Sequence, residues 1–350
     1  MKTGKNNLYF FGNPFSIKAS HVVILSFLII IIFAASCDVN NDDYDKLPPC
    51  PPNDIVATPP YDSPCWHPSG NFIGFNHTPL LKITYPYGEY CQGVYEWDPH
   101  QSGFWLINPD GSNMRRIFPY KLLNPVWSPD GEWIAFVLPL GDERHICKMR
   151  FTGETFDTTT LVQLTAEGRN FLPSWSPDGQ WIAYDSNTDS PNGMNFIWKM
   201  KSDGTQKTRI AYEPTKGEIR MPSWSKDGNK IVHTRYIGVG EPEVFVMDSS
   251  GSNVIRLTNN TKDDRYPHYA FEKNIVYWSN GNLWIMDSLG TNSKQLISER
   301  VGYIFTVSQD GNKIVYTKYE PNNWTYENGT LWIIDLISGE KRQLTFNQKP

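Results

Sequence analysis

The sequence predicts an all-β fold built from six copies of one four-stranded antiparallel unit, and three observations support this prediction. A five-residue motif, Trp-Ser-Pro-Asp-Gly, recurs intact or degraded at intervals of 38 to 61 residues, and such self-similarity is typical of repeat architectures. Short runs of β-branched and aromatic residues follow each copy, which is typical of strands. No segment combines helix caps with a sustained 3.6-residue apolar period.

The motif marks the turn after the first strand of each unit. Its copies occupy residues 66–70, 127–131, 175–179, 224–228, 269–273 and 307–311. Aspartate followed by glycine between two strands predicts a hairpin turn of type I′ or a related type. Aspartate in such a turn bonds its own backbone, so we expect the motif aspartates to be structural and not a carboxylate array. They are Asp130, Asp178, Asp227 and Asp310.

Each unit contains four predicted strands. The first ends in Pro-x-Trp, as at residues 173–175, and the fourth ends in Leu-Thr or a relic of it, as at residues 164–165. The second strands are predicted at residues 72–75, 133–137, 181–184, 230–233, 274–278 and 313–317. The third strands are predicted at residues 104–107, 146–149, 196–200, 244–247, 283–286 and 331–334. One such sheet cannot bury both faces alone but a ring can, so we predict a six-bladed β-propeller over residues 61–350.

The order of these elements also resembles a known family. Pro-x-Trp-Ser-Pro-Asp-Gly, an apolar strand, an aromatic strand and Leu-Thr resemble the repeat of TolB-type six-bladed β-propellers, over residues 63–345. The resemblance implies a TolB-like propeller lipoprotein. TolB also carries an α/β domain before its propeller, and the contacts of that domain are not implied for this chain.

The first 36 residues are predicted to be a secretory signal. Lys2, Lys5 and Lys18 precede an apolar run at residues 22–35, which is short for a bilayer span. The sequence Ala-Ala-Ser-Cys ending at Cys37 resembles a bacterial lipobox, which implies that the Cys37 thiol is lipidated and becomes the mature N-terminus. The alternative is an uncleaved membrane anchor. Both place the remaining chain outside the cytoplasm, at the bacterial cell envelope and, for a lipoprotein, at the outer membrane.

Residues 37–60 are predicted to form an extended tether, because they are acidic and rich in proline. Acidic residues directly after a lipidated cysteine also resemble the surface-export signal of lipoproteins in the Bacteroidetes. The net charge of the chain is −5. Lysine and arginine are not clustered, so the composition predicts no nucleic-acid partner.

Four successive loops carry an acidic residue beside an arginine. These loops join the fourth strand of one blade to the first strand of the next, and in a propeller they surround one mouth of the channel. The residues are Glu167, Arg169, Glu218, Arg220, Asp263, Asp264, Arg265, Glu299 and Arg300. Together they predict a site for a carboxylate, a sugar acid or an ion. The alternative is a set of ordinary surface ion pairs, each worth about 0–1 kcal/mol.

Two inserts interrupt the repeat, in blades one and six, which become neighbours when the ring closes. They carry Tyr85, Tyr87, Tyr90, Tyr95 and Trp97 in blade one, and Trp324 and Tyr326 in blade six. Aromatic loop residues supply rigid contact area at binding sites. The alternative is that they cover exposed blade cores or the seam of the ring.

The remaining cysteines predict one disulfide. Cys147 aligns with aromatic core positions of the other repeats, so we expect a buried thiol there. Cys50 in the tether and Cys91 in the insert are candidates for a disulfide in an oxidising compartment. Cys50 paired with Cys65 is the alternative.

No catalytic constellation stands out. The sequence has neither a Gly-x-Ser-x-Gly elbow nor a His-Glu-x-x-His motif, and its histidines occupy non-equivalent positions in the repeats. We therefore expect no metal, no cofactor and no enzymatic activity. The predicted function is a lipid-anchored extracytoplasmic module that presents a propeller face to an envelope protein or peptide. The alternative is a carbohydrate-binding or lyase-like propeller that uses the channel mouth.

Overall fold

The computed structural model describes residues 61–84, 94–213, 217–237, 241–319 and 329–346, which lie in one compact unit, Pro52–Pro350. They form six four-stranded antiparallel sheets with almost no helix, so the predicted six-bladed propeller is confirmed. The predicted signal segment, Cys37 and the tether lie outside the described residues. Within the described ranges, no helix is long and apolar enough to cross a membrane.

Blades one to three follow one another in chain order. Of these three blades, as far as they are described, only blade one has an additional two-stranded sheet. Blade one comprises β1 (Tyr61–Trp66) and β2 (Ile73–His77), an inserted hairpin of β3 (Leu80–Thr84) and β4 (Val94–Trp97), then β5 (Gly103–Ile107) and β6 (Arg115–Phe118). Blade two comprises β7 (Leu123–Trp127), β8 (Trp133–Leu140), β9 (Glu143–Phe151) and β10 (Phe156–Gln163). Blade three comprises β11 (Asn170–Trp175), β12 (Trp181–Ser186), β13 (Phe196–Lys201) and β14 (Thr208–Arg209).

Blades four to six repeat the same meander. Blade four comprises β15 (Ile219–Trp224), β16 (Lys230–Arg235), β17 (Glu243–Asp248) and β18 (Ile255–Arg256). Blade five comprises β19 (Asp264–Tyr269), β20 (Ile275–Ser279), β21 (Asn282–Met286) and β22 (Lys294–Ile297), with a short 3-10 helix, Phe271–Lys273, in its first turn. Blade six comprises β23 (Val301–Val307), β24 (Lys313–Lys318), β25 (Thr330–Asp335) and β26 (Lys341–Gln343).

The motif turn has a fixed set of hydrogen bonds, which blade three illustrates. The Gly179 amide donates to the Ser176 carbonyl over 2.9 Å, and the Ser176 hydroxyl donates to Asp178 Oδ1 over 2.5 Å. Asp178 Oδ1 also accepts from the Gln180 amide over 3.0 Å. Proline at the second turn position holds φ near −65°. This excludes type I′, which requires a positive φ at that position, and favours a type I turn with glycine at the fourth position. The same serine–aspartate bond recurs at Asp130, Asp227 and Asp310, so the structural role of these aspartates is confirmed.

Each innermost strand contains a bulge, which the sequence did not predict. The pairing of the first strand with the second shifts register just before the motif aromatic in every blade. In five blades the residue before the strand proline has a φ between 49° and 61°, and these residues are Ser63, Asn124, Leu172, Met221 and Tyr266. Proline lacks an N–H and is tolerated at a bulge on an edge strand. Each innermost strand therefore turns its unpaired edge to the channel.

The Leu-Thr pair lies just beyond the fourth strand and not inside it as predicted. In blade two the Thr165 hydroxyl accepts from the Ile146 amide over 2.9 Å. Thr258 does the same for Val244 in blade four, and Thr345 for Leu331 in blade six. A side-chain oxygen thus replaces a strand carbonyl where the fourth strand ends, which explains why threonine recurs there.

The motif aromatics fill the spaces between blades. Trp127, which is 5% exposed, packs against Phe104 of blade one and Phe156 of its own blade. The predicted core cysteine, Cys147, is fully buried in the same cluster. Blade six takes all four strands from its own repeat, as predicted, and meets blade one through side chains. There the Thr317 hydroxyl donates to the Tyr61 carbonyl over 3.2 Å.

Asp178→Ala tests the motif turn. It removes two hydrogen bonds, so we expect the free energy of unfolding to fall by about 1 kcal/mol. The Ser176 hydroxyl and the Gln180 amide hold the pKa of Asp178 below its usual 3.8. The charge-dependent part of the difference from wild type should therefore be complete above pH 3.8 and be lost as the pH falls through the lower pKa of the folded state. Urea denaturation at several pH values measures it.

Asp178→Asn is the matched control, because its amide oxygen still accepts hydrogen bonds. A loss in the asparagine variant as large as that in the alanine variant would contradict the role assigned to the acceptor.

Candidate binding site at the channel mouth

The six innermost strands enclose a channel with a cavity of about 520 Å³, lined by residues of β1, β7, β11, β15, β19 and β23. The positions just before the motif aromatics contribute Cys65, Val126, Ser174, Ser223, His268 and Thr306. Ser223 Oγ lies 3.3 Å from His268 Nδ1, and burial lowers the pKa of His268 to about 4. The imidazole is therefore neutral at pH 7, and the cavity combines apolar walls with small neutral polar groups.

The predicted acidic and arginine residues lie at the mouth opposite the motif turns. In an up-and-down blade the connections from second to third strand share a face with the connections to the next blade. The motif turns and the connections from third to fourth strand lie on the other face. The candidate loops consequently lie around one end of the channel.

Arg220 is tied to the neighbouring blade. Its Nε donates to Asp185 Oδ2 of β12 over 2.8 Å, and its Nη1 lies 3.6 Å from Glu218 Oε2. The Asp185 side chain is fully buried and that of Arg220 is 23% exposed. Burial raises the pKa of Asp185, and the Arg220 guanidinium opposes the shift. The pair therefore joins blades three and four, in addition to placing a guanidinium at the mouth.

Tyrosines and a second arginine complete the mouth. Arg265 forms an ion pair with Asp263, and its guanidinium lies 5.3 Å from the ring centroid of Tyr236. Tyr266 stacks on Tyr303 at 5.1 Å between centroids with an interplanar angle of 26°. Burial raises the pKa of Tyr266, and Arg220 and Arg265 lie close enough to oppose the shift. We call Arg220, Tyr236, Arg265, Tyr266 and Tyr303 the mouth cluster.

The other predicted loop residues do not join this cluster. Arg169 donates from Nε to the Asp142 carbonyl over 3.2 Å, and the Glu167 side chain is exposed. Glu299 lies 3.3 Å from Lys341 and 3.8 Å from Lys318. Asp264 is fully buried. Arg300 is exposed. The contacts of the described residues therefore gather the mouth side chains on blades four to six and do not form a continuous ring.

Several predicted residues lie outside the described part of the chain. They are Tyr85, Tyr87, Tyr90, Trp324, Tyr326, Cys50 and Cys91. Tyr95 and Trp97 belong to β4, but their side chains are not described. The aromatic surface and the Cys50–Cys91 disulfide therefore stay predictions. The Cys65 and Cys147 thiols are both free and buried, which disfavours the alternative pairing of Cys65.

Sequence reasoning missed the tyrosines and Asp185. Tyr266 directly precedes the strand proline, where the four preceding repeats carry serine, asparagine, leucine or methionine. This difference between repeats was the sequence signal that could have identified Tyr266. Asp185 directly follows the strand predicted at residues 181–184, and its partner Arg220 lies in the next repeat. Among the described residues, no group of three or more histidine, cysteine, aspartate or glutamate side chains is placed to hold a metal.

The chain is similar to known propellers. A family model described as the TolB beta propeller domain matches residues 107–280. TolB from Acinetobacter baumannii is 16% identical with a TM-score of 0.43, and the match covers 81% of this chain and 53% of that chain. Comparison with curated protein sequences gives no significant match. The predicted TolB-type repeat is confirmed, and the chain spans about half the length of that TolB structure.

Two enzymes share the fold. An oligogalacturonate lyase in complex with manganese is 12% identical with a TM-score of 0.50, covering 80% of this chain and 75% of that chain. A puromycin-hydrolyzing peptidase of Mycobacterium tuberculosis is 14% identical with a TM-score of 0.55, covering 85% and 56%. The expectation that this protein is not an enzyme, which was based on the lack of known catalytic motifs, is thereby corrected, because proteins of the same fold include enzymes.

Arg220→Met tests the inter-blade ion pair. The variant leaves the Asp185 carboxylate buried without its cation, and such a change costs about 3–5 kcal/mol of unfolding free energy. The double variant Asp185→Leu/Arg220→Met removes both charges and should recover most of the loss. Chemical denaturation of the three proteins measures both effects. A loss below about 1 kcal/mol in the single variant would identify an ordinary surface pair.

Proposed function

We propose that this protein, whose repeats form a TolB-type six-bladed β-propeller, is a lipid-anchored binding module of the bacterial cell envelope that holds a protein or peptide at its channel mouth. The mouth cluster carries the proposal. Tyrosine and arginine are enriched among the residues that dominate protein–protein binding energy. Here both types converge at one end of the channel, on the face opposite the motif turns.

The cluster combines a rigid apolar surface with cationic groups. Tyr303 is 40% exposed and is held by its stack on Tyr266, so little conformational entropy is lost when a partner packs on it. The Arg265 side chain is 32% exposed and already faces a carboxylate, that of Asp263. A carboxylate of the partner can share or replace this contact, since guanidinium groups bind carboxylates with two parallel hydrogen bonds.

A sugar acid is the second candidate ligand, because the same guanidinium groups also bind a uronate carboxylate and tyrosine rings stack on sugar faces. The two candidate ligands would contact different parts of the mouth. A peptide partner requires a broad contact across Tyr303 and the neighbouring loops. A uronate oligomer requires mainly Arg265 and the channel opening.

Arg265→Gln/Tyr303→Ala tests the proposed site. We expect crosslinked capture of the envelope partner to fall at least tenfold, because the variant removes a cationic contact and an aromatic contact. Arg150→Gln is the matched control, since Arg150 pairs with the exposed Glu132 beside the motif turn of blade two, on the face opposite the mouth. Calorimetric titration with oligogalacturonate distinguishes the sugar acid. Equal capture by both variants would reject the mouth as the site.

Cys37→Ala tests the proposed anchor. The variant should lose incorporation of radiolabelled palmitate and appear in the soluble fraction after lysis, because the thiol is the proposed attachment point. Cys147→Ala serves as the control, since its thiol is free and buried in the core. Unchanged labelling of the Cys37 variant would remove the lipoprotein proposal and leave the mouth proposal intact.

A further inference from the structure

Two buried acidic residues occupy the junction between blades four and five. Glu243 begins β17 and Asp264 begins β19. The equivalent positions at the preceding junction, where β13 and β15 begin, are Phe196 and Ile219, which pack together in one apolar cluster. Glu243 is 1% exposed and Asp264 is 0% exposed. Two carboxyl groups have thus replaced an apolar pair at a site that remains buried.

Asn260 holds the two carboxyl groups close together. Its backbone amide donates to Glu243 Oε1 over 2.9 Å, and its side-chain amide donates to Asp264 Oδ2 over 2.8 Å. Arg256 donates to Glu243 Oε1 over 2.7 Å. The Asp264 amide donates to the Pro242 carbonyl over 3.0 Å, so the backbones of the two blades also meet here.

One oxygen of each carboxyl group remains unsatisfied. Glu243 Oε2 and Asp264 Oδ1 are buried and have no hydrogen-bond partner. The hydroxyl of Ser279, which pairs in register with Asp264 and is 2% exposed, makes no hydrogen bond of good geometry, although it lies beside the Asp264 carboxyl group. Leaving polar groups buried and unpaired is costly. Two carboxyl groups and a hydroxyl group from two blades therefore lie at one junction with incomplete hydrogen bonding.

The charge balance also points to a missing cation. Two carboxylates face a single guanidinium, Arg256, whose side chain is 37% exposed. A cation bound between the two carboxyl groups would supply the missing positive charge.

We propose that Glu243, Asp264 and Ser279 form a Ca²⁺ site that joins blades four and five. Carboxylate and hydroxyl oxygens are hard ligands, and Ca²⁺ accepts irregular coordination completed by water. The absence of sulfur or imidazole from this set argues against zinc. Asp264 directly precedes Arg265 and Tyr266 of the mouth cluster, so the ion would also fix the strand from which that cluster projects.

The test uses the full-length chain purified in detergent, stripped with EGTA and then dialysed against ⁴⁵Ca²⁺. We expect one Ca²⁺ per chain and a rise in Tm of roughly 5 °C at a hundredfold excess over Kd. The same concentration of Mg²⁺ should bind at least tenfold more weakly. Calcium affinity should fall as the pH is lowered, because the ligands must be deprotonated.

Three variants complete the test. Glu243→Gln should weaken Ca²⁺ binding at least tenfold. Glu243→Phe/Asp264→Ile copies the preceding junction, so it should fold, bind no Ca²⁺ and show a calcium-independent Tm. Glu132→Gln alters an exposed ion pair with Arg150 and should bind Ca²⁺ like wild type.

Four outcomes would overturn the proposal. They are no bound Ca²⁺ in wild type, equal affinity for Mg²⁺, binding retained by Glu243→Phe/Asp264→Ile, and stability that changes with pH but not with calcium. The last outcome would identify a proton shared by the two carboxyl groups. None depends on whether the mouth binds a partner.

Discussion

The whole structure depends on the need to cover both apolar faces of every four-stranded sheet. The motif aromatic does this, because it projects from the innermost strand into the space beside the preceding blade. Trp66, Trp127, Trp175 and Trp224 are all at most 9% exposed, and truncating a buried tryptophan in such a cluster costs about 3–5 kcal/mol. No blade can bury its own faces without both neighbours, so the ring closes. Closure in turn creates the channel and places the mouth residues around it.

The sequence predicted most of this architecture, since strand periodicity, turn residues and the repeat interval are local signals. It predicted a turn of type I′ or a related type, and the proline at position two excludes type I′. It missed the bulges, although the strand proline that accompanies them in five blades was a local signal. The candidate site was found only in part. Arg220 was visible as a loop residue, but its partner Asp185 lies in another blade, and no local pattern joins the two.

The informative positions are those where one repeat departs from the others. Tyr266 places an aromatic residue where the four preceding blades carry serine, asparagine, leucine or methionine. Glu243 and Asp264 replace the apolar pair of the preceding junction. The shared ring says little about activity, since a lyase and a peptidase have the same fold. Internal repeats thus act as their own reference, against which substitutions that serve something other than folding become visible.

The seam between blades one and six has a mechanical consequence. Among the described residues no strand crosses from one blade into the other, and the seam between them contains side-chain packing and isolated hydrogen bonds such as that from Trp66 to Thr306. The first described strand, β1, is the innermost strand beside that seam. Tension applied along β1 is therefore carried in shear by the ladder between β1 and β2. The outer strands of blade one bear little of this load. We therefore expect β1 to separate from the ring first.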